Sequence, residues 1–220
     1  MCGRYTLASP VGKLAERFGL DEISSEFSPS YNIAPTRSVP AILAEGGGRR
    51  LEMLRWGLVP SWAGDPAIGN RMINARSETA HEKPSFRSAF KRRRCLIPAD
   101  GFYEWKRESD GKQPYYIRMK SEEPFVFAGL WESWEGGEGE VRTCAILTTQ
   151  ANEMMKDIHH RMPVILGDDL HEAWLGDEAE KHELISMLEP YSGDDLESYP
   201  VSRFVNKPSN DDPRCIEPAA

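Results

Sequence analysis

Between residues 101 and 149 four strand-forming runs, about 101–106, 114–119, 124–133 and 141–149, follow one another at hairpin spacing. Turn residues mark the connections, Ser109-Asp110-Gly111 in one and Gly136-Gly137-Glu138-Gly139 in another. Serial hairpins of this kind exclude a regular βαβ alternation. Shorter runs add a strand at 4–7, a second hairpin from about 39–44 to 50–56 across Gly46-Gly47-Gly48, and an apolar strand at 95–97. Helical spacing is confined to short stretches. One starts with Ser9 as N-cap and Pro10 at the first helical position, lines Val11, Leu14, Ala15 and Phe18 on one face, and ends at Gly19. Others are predicted near 85–91, 151–158, 168–175 and 177–189. Residues 21–38 read as loop, the aromatic, Pro-broken run from Trp56 to Trp62 as a shaped loop, and 207–220 as an extended C-terminal tail. The fold class that follows is α+β, a single domain over 1–220 with a curved, barrel-like antiparallel β core flanked by short helices.

Composition narrows the function. With 40% hydrophobic residues the 220-residue chain can bury a proper core, and no apolar run approaches the roughly 20 residues of a bilayer span. The start lacks a basic region followed by an apolar stretch, so a secretory signal is not expected. Cys2, Cys95, Cys144 and Cys215 lie far apart with no C-x-x-C pair, which fits neither a zinc site nor a disulfide framework. The expected home is a reducing cytoplasm. A net charge of −8 argues against a generic nucleic-acid binder, yet residues 1–120 carry +7 and residues 121–220 carry −15. The first half can therefore supply a local phosphate-binding face, although uneven surface charge is the plain alternative.

Cys2 directly follows Met1. A small second residue permits removal of the Met, which would leave Cys2 with a free α-amine and a thiol on adjacent carbons. Their reference pKa values, about 7.7–8.0 and about 8.5, give a useful reactive fraction of each near neutrality. Such a 1,2-aminothiol suits an aldehyde: the amine forms a Schiff base and the thiol adds to the imine, closing a five-membered thiazolidine. An internal Cys cannot do this. Taken alone, Cys2 is more readily a coincidence of the start.

Other candidates are weaker in isolation. Glu104 lies in the aromatic strand Gly101-Phe102-Tyr103-Glu104-Trp105, where alternation puts it on the face of Phe102. A carboxylate among apolar groups suits a proton shuttle, and a strand Glu facing solvent is the alternative. His159 and His160 sit between a helix and a strand, a place where catalytic groups collect. Adjacent His residues without a third ligand nearby do not make a metal site. Asn74 and Arg76, two apart on an extended segment, face the same way, an amide to orient a substrate and a guanidinium to hold phosphate. The run Arg92-Arg93-Arg94 reads as a solvated face or part of a DNA groove. Pro35 and Trp62, on loops, could stack on bases or wedge them apart.

Jointly, these stretches resemble the SRAP family of SOS response-associated peptidases, the abasic-site processing proteins. The matching pieces are Met1-Cys2-Gly3-Arg4-Tyr5, Tyr31-Asn32-Ile33-Ala34-Pro35, Trp56-Gly57-Leu58-Val59-Pro60, Ile73 to Thr79, Cys95 to Trp105, Ile146-Leu147-Thr148-Thr149, His159-His160-Arg161-Met162-Pro163 and Val201-Ser202. The resemblance implies a protein of single-stranded DNA carrying abasic sites. Cys2 would form a thiazolidine crosslink with the ring-opened aldehyde and shield the lesion in the DNA damage response. By the same resemblance, Asn74 holds the reacting terminus and sugar, Glu104 assists proton transfer and crosslink reversal, and His159 assists ring opening. Arg4, Arg76 and Arg161 would grip phosphates, with a hydroxyl contact from Thr148. Trp105 would sit beside the site, and Pro35 and Trp62 would contact bases. No cofactor, metal or membrane is implied, and a nucleoid-associated monomer is the default. His160 stands where some bacterial members carry an acidic residue, and Lys83-Pro84 leaves one phosphate contact unassigned.

The family's peptidase label matches autoproteolytic exposure of Cys2, and an aminopeptidase could remove Met1 equally well. Two rivals stand beside this expectation: a Cys peptidase acting on other proteins through a Cys–His pair, and a non-catalytic single-strand DNA binder in which Cys2 is incidental.

Overall fold

The computed structural model describes residues 2–109, 111–136 and 139–219. Met1, Asp110, Gly137, Glu138 and Ala220 lie outside them, as do the expected turn positions at 110, 137 and 138 and the question of Met1 removal. In chain order the first elements are β1 (Tyr5–Leu7), α1 (Val11–Phe18), β2 (Glu22–Ile23), β3 (Ser30–Ile33), β4 (Ser38–Glu45), β5 (Gly48–Trp56) and β6 (Asn74–Arg76). Then come α2 (Ser77–Ala80), α3 (Arg87–Arg92), β7 (Arg94–Ala99), β8 (Gly101–Glu108), β9 (Gly111–Met119), β10 (Phe125–Gly136) and β11 (Gly139–Gln150). The last are β12 (Arg161–Pro163), β13 (Ile165–Leu166), α4 (His171–Leu175), α5 (Lys181–Ser186) and β14 (Leu196–Pro200), with short 3-10 turns between.

Five strands close on themselves. The β4–β5 hairpin turns across Gly46 and Gly47, both at positive φ, as a tight right-twisting hairpin requires. β4 pairs with β7 at Ile42–Leu96, β7 with β10 at Ile97–Phe127, and β10 with β11 at Gly129–Ile146. β11 then runs parallel to β5 at Thr143–Arg55 and Cys144–Trp56, which shuts the ring and removes its edges. Both faces of β7 are buried, so it is apolar almost throughout rather than alternating.

A second sheet, in the order β14-β9-β8-β1-β3, packs on this barrel. Its inner face brings Tyr5 edge-on to Trp56 at 5.4 Å and to Phe127 at 5.8 Å, and Phe102 to Phe127 at 6.0 Å. Aromatic pairs in this geometry add about 0.5–1.5 kcal/mol each beyond the area they bury. The outer face carries Tyr103 and Tyr116, covered by Val201, Val205 and Cys215 of the C-terminal segment.

Several sequence expectations need correction. Residues 21–38 contain β2 and β3, whose polar sequence gave no strand signal because pairing to β5 and β1 supplies the order. Residues 153–158 form successive turns rather than a helix, with the Asn152 side chain accepting the Met155 N–H at 2.9 Å. Residues 177–189 form only α5, started by the reciprocal Glu180/Glu183 capping box. Ser9 does not cap α1. Pro10 holds the N-cap place, and the Ser9 N–H goes to Asp100 Oδ2 at 2.9 Å. The tail is docked rather than extended, with a 3-10 turn at Pro213–Ile216 and a buried Cys215. Among the described residues no helix is long and apolar enough to cross a membrane, and no group of His, Cys, Asp or Glu side chains could hold a metal ion.

Candidate active site

Strand pairing carries the first residues to the centre of the site. β1 pairs antiparallel with β8 at Tyr5–Phe102, and the Tyr103 N–H continues the ladder to the Arg4 carbonyl at 3.0 Å. Cys2 thereby comes to lie near Glu104, fully buried within the main core. Burial pushes its thiol pKa well up, and the negative charge of Glu104 pushes in the same direction. Glu104 is itself only 3% exposed, on the face of Phe102 as strand alternation requires.

Asn74 arrives from the opposite side. β6 runs parallel to β11 with Ile146 opposite Asn74 and Thr148 opposite Arg76. The Trp56 indole N–H fixes this segment by donating to the Ile73 carbonyl at 2.8 Å. Asn74 Nδ2 donates to the Cys2 carbonyl at 2.7 Å, and its Oδ1 is buried with no hydrogen-bond partner among the described residues. An acceptor in that position costs about 1–3 kcal/mol if left unmade, a cost a donor brought by a ligand or a free amine would relieve.

β12 pairs with the end of β11, Gln150 opposite Arg161, which brings in the His pair. His159 Nδ1 lies 4.0 Å from Glu104 Oε1, and it accepts the Arg161 N–H at 3.1 Å. His160 is exposed and tilts over the His159 ring at 4.4 Å, whose charge, when present, lowers the His160 pKa. Cys2, Asn74, Glu104 and His159 are thus brought to one place.

The expected phosphate-binding residues surround this centre, and two of the three Arg side chains are already engaged. Arg161, mostly buried, forms a fork with the Glu78 carboxylate and also donates to the Thr148 carbonyl and, at 3.2 Å, to Thr148 Oγ1. Burial opposes charge on Glu78, but the Arg161 hydrogen bond and charge outweigh it, and the Glu78 pKa falls. Thr148 is fully buried, so here its hydroxyl braces Arg161 instead of facing a ligand. Arg4 Nη1 donates to Asn32 Oδ1 at 2.6 Å and to the Val205 carbonyl at 3.0 Å, and its guanidinium lies 5.7 Å from the Trp105 ring centre. Burial lowers the Arg4 pKa. Arg76 is exposed.

The Pro35 segment is tied to the Asn74 segment through Trp56. Thr36 donates its N–H to the Trp56 carbonyl at 2.8 Å while holding φ at 73°, a costly backbone for a β-branched residue and one that tends to occur at functional loops. The 57–64 loop is pinned by Val59 N–H to Thr143 Oγ1 at 2.9 Å and by Trp134 Nε1 to the Ala63 carbonyl at 2.7 Å. At Gly57, φ is 135°, and an added Cβ would stand 2.6 Å from the Gly69 oxygen. On this rigid base Trp62 is 61% exposed. Arg94, in the basic run, is no part of a solvated face. It is buried, donating to the carbonyls of Trp174 and Phe90 at 2.7 and 2.9 Å.

Sequence reasoning gave no role to Asn32, Glu78 or Trp56, although all three lie in the quoted motifs. Their partners are remote in sequence, so no local pattern could reveal them.

A barrel carrying these side chains at one place, on strands brought together in this order, defines a protein class. Residues 1–208 match the family described as SOS response associated peptidase (SRAP), and the chain belongs to that family. It is 49% identical, over 99% of both chains, to a Bacillus subtilis protein named abasic site processing protein YoqW. It is 37% identical to the chicken (Gallus gallus) abasic site processing protein HMCES, over 87% of this chain and 67% of that one. A crystal structure of a Bacteroides thetaiotaomicron protein superposes with a TM-score of 0.91 at 30% identity, covering all of both chains.

Proposed function

We propose that this protein processes abasic sites in single-stranded DNA by forming a thiazolidine between the ring-opened C1′ aldehyde and Cys2, after loss of Met1. The observation that carries the reading is the Asn74 amide on the Cys2 carbonyl, with its own oxygen buried, without a partner among the described residues and ready for a donor. The Cys2 α-amine, once freed, is the donor of matching chemistry. It attacks the aldehyde carbon, the carbinolamine loses water, and the thiol sulfur adds to the resulting iminium carbon while its proton leaves to a base. One water is released and no electrons change hands. Glu104 and His159, 4.0 Å apart, are the proton carriers within reach.

The state of the thiol favours this order over a Cys peptidase acting on other proteins. Peptidase nucleophiles work as thiolates with lowered pKa values, whereas burial raises that of Cys2. A neutral thiol that waits for an iminium is consistent with amine-first chemistry. Arg4, Arg76 and Arg161 would hold the backbone, giving affinity without sequence preference, and Trp62 and Pro35 would engage bases. The protein would act in the cytoplasm, at the nucleoid when bound to DNA.

The test is a denaturing gel with intact mass spectrometry after mixing the protein with single-stranded DNA bearing one abasic site. The expected product is a shifted band with the mass of protein lacking Met1 plus DNA minus water. It should be absent with undamaged DNA and with Cys2→Ala. Absence of any covalent species from protein already lacking Met1 would overturn the reading.

A further inference from the structure

The C-terminal segment is joined to the first residues by a buried polar cluster for which packing alone gives no reason. Asn32 on β3 is fully buried and uses both ends of its amide. Its Oδ1 accepts Arg4 Nη1 at 2.6 Å, while Nδ2 donates to the carbonyls of Val205, Lys207 and Asn210 at 3.1, 3.2 and 2.6 Å. Val205 also accepts from Arg4 at 3.0 Å, and Trp105, over which Arg4 lies, donates Nε1–H to Asn206 Oδ1 at 2.7 Å. Asp211 then locks the segment to β3. It accepts the Tyr31 N–H at 2.6 Å, Ser30 Oγ–H at 2.8 Å and Arg37 at 2.9 Å. Lys207, at the end of the family match over 1–208, is followed by Asn210 and Asp211 beyond it.

From this juxtaposition we infer that Asn32 is a positioning residue, which with the clasp formed by residues 205–211 sets the direction of the Arg4 guanidinium for a DNA phosphate beside Cys2. The physical reason is the directionality of the fork. Arginine has five N–H groups in one plane, so fixing Nη1 against two oxygens fixes where the others point. Arg4 Nε is buried with no hydrogen-bond partner among the described residues, which leaves a donor of that plane uncommitted. A flexible Arg would have to freeze on binding, whereas this one is already ordered. Stacking on Trp105 restricts the plane further. The inference rests on the DNA-binding reading proposed above, and it assigns to Asn32 no part in bond making.

The test uses the full chain with Met1 removed and four proteins: wild type, Arg4→Ala, Asn32→Ala and the double variant. Binding to undamaged single-stranded DNA is followed across a salt series, and crosslinking to abasic DNA is followed to saturation. Asn32→Ala is expected to weaken binding about tenfold, the loss of a hydrogen bond to a charged group. It should also flatten the salt dependence by nearly one phosphate contact, as Arg4→Ala does. The double variant should be no worse than Arg4→Ala. Asp211→Asn keeps the shape of the clasp and supplies the check if Asn32→Ala folds poorly. Its expected effect is a smaller loss, about threefold, again absent when Arg4 is already Ala. A wild-type salt slope in folded Asn32→Ala or Asp211→Asn, or additive losses in the double variant, would overturn the inference and leave the crosslinking reading intact. Wild-type protein that binds no DNA would instead remove that reading, and this inference with it.

Discussion

The proposed reactive centre and the proposed phosphate-binding rim around it are held by different means. Cys2, Asn74, Glu104 and His159 stand on backbone pairings: β1 on β8, β6 on β11, and β12 on the end of β11. Arg4 and Arg161 are instead aimed by side chains from remote segments, Asn32 with the Val205 carbonyl in one case and Glu78 with Thr148 in the other. A ladder of backbone hydrogen bonds fixes atoms to a fraction of an ångström, as bond-making chemistry requires. Charges that meet a flexible polyanion can be set by exchangeable pairs. The centre should therefore fail in rate and the rim in affinity.

The sharpest break is at the centre. Cys2→Ala should abolish the denaturation-resistant adduct, while Cys2→Ser keeps the amine and should still give a Schiff base that borohydride traps. Glu104→Gln comes next. It keeps size and removes the proton carrier, so crosslink formation or reversal should slow by about 100-fold, in line with general acid–base catalysis. DNA affinity should barely change in single-turnover assays. Normal formation and release by this variant would remove Glu104 from the mechanism.

The rim gives intermediate effects. Arg161→Ala should weaken binding by about tenfold and lower the salt slope by about one, leaving the saturated rate near wild type. A drop in the saturated rate instead would mean that the Arg161 side chain belongs with the centre.

Alkaline pH separates the regions by stability, with the mildest effect. Burial raises the pKa values of Cys2, Cys95, Cys144 and Tyr5. Groups whose folded pKa lies above the unfolded one bind more protons when folded. Their contribution is complete below the unfolded values, about 8.5 for Cys and about 10 for Tyr, and is lost as pH rises beyond them. The melting temperature should fall progressively above about pH 8.5, read in a thermal-denaturation series across pH.

The hairpin series from 101 to 149 was legible because turn residues and apolar runs are local signals, and β8 to β11 follow it within a few residues. Glu104 was legible for the same reason, since alternation put it on the face of Phe102. The 151–158 segment misled because its helical spacing is a local signal that does not distinguish successive turns from a helix. β3 was missed because its order comes from β1 and from Asp211, far along the chain.

What the sequence alone determined was an inventory: the hairpin series from 101 to 149, tight turns, a Cys directly after Met1, and the motif set by which the family is recognised. Only the tertiary structure decided which groups meet. The parallel closure of β11 on β5 is one such decision, and the delivery of Asn74 to the Cys2 carbonyl is another. The engagement of Arg161 with Glu78, and of Arg4 with Asn32, is of the same kind. Each of these joins residues tens of positions apart. Local propensity acts over a few residues, whereas such pairings depend on the packing of the whole chain, so they become definite only once it has folded.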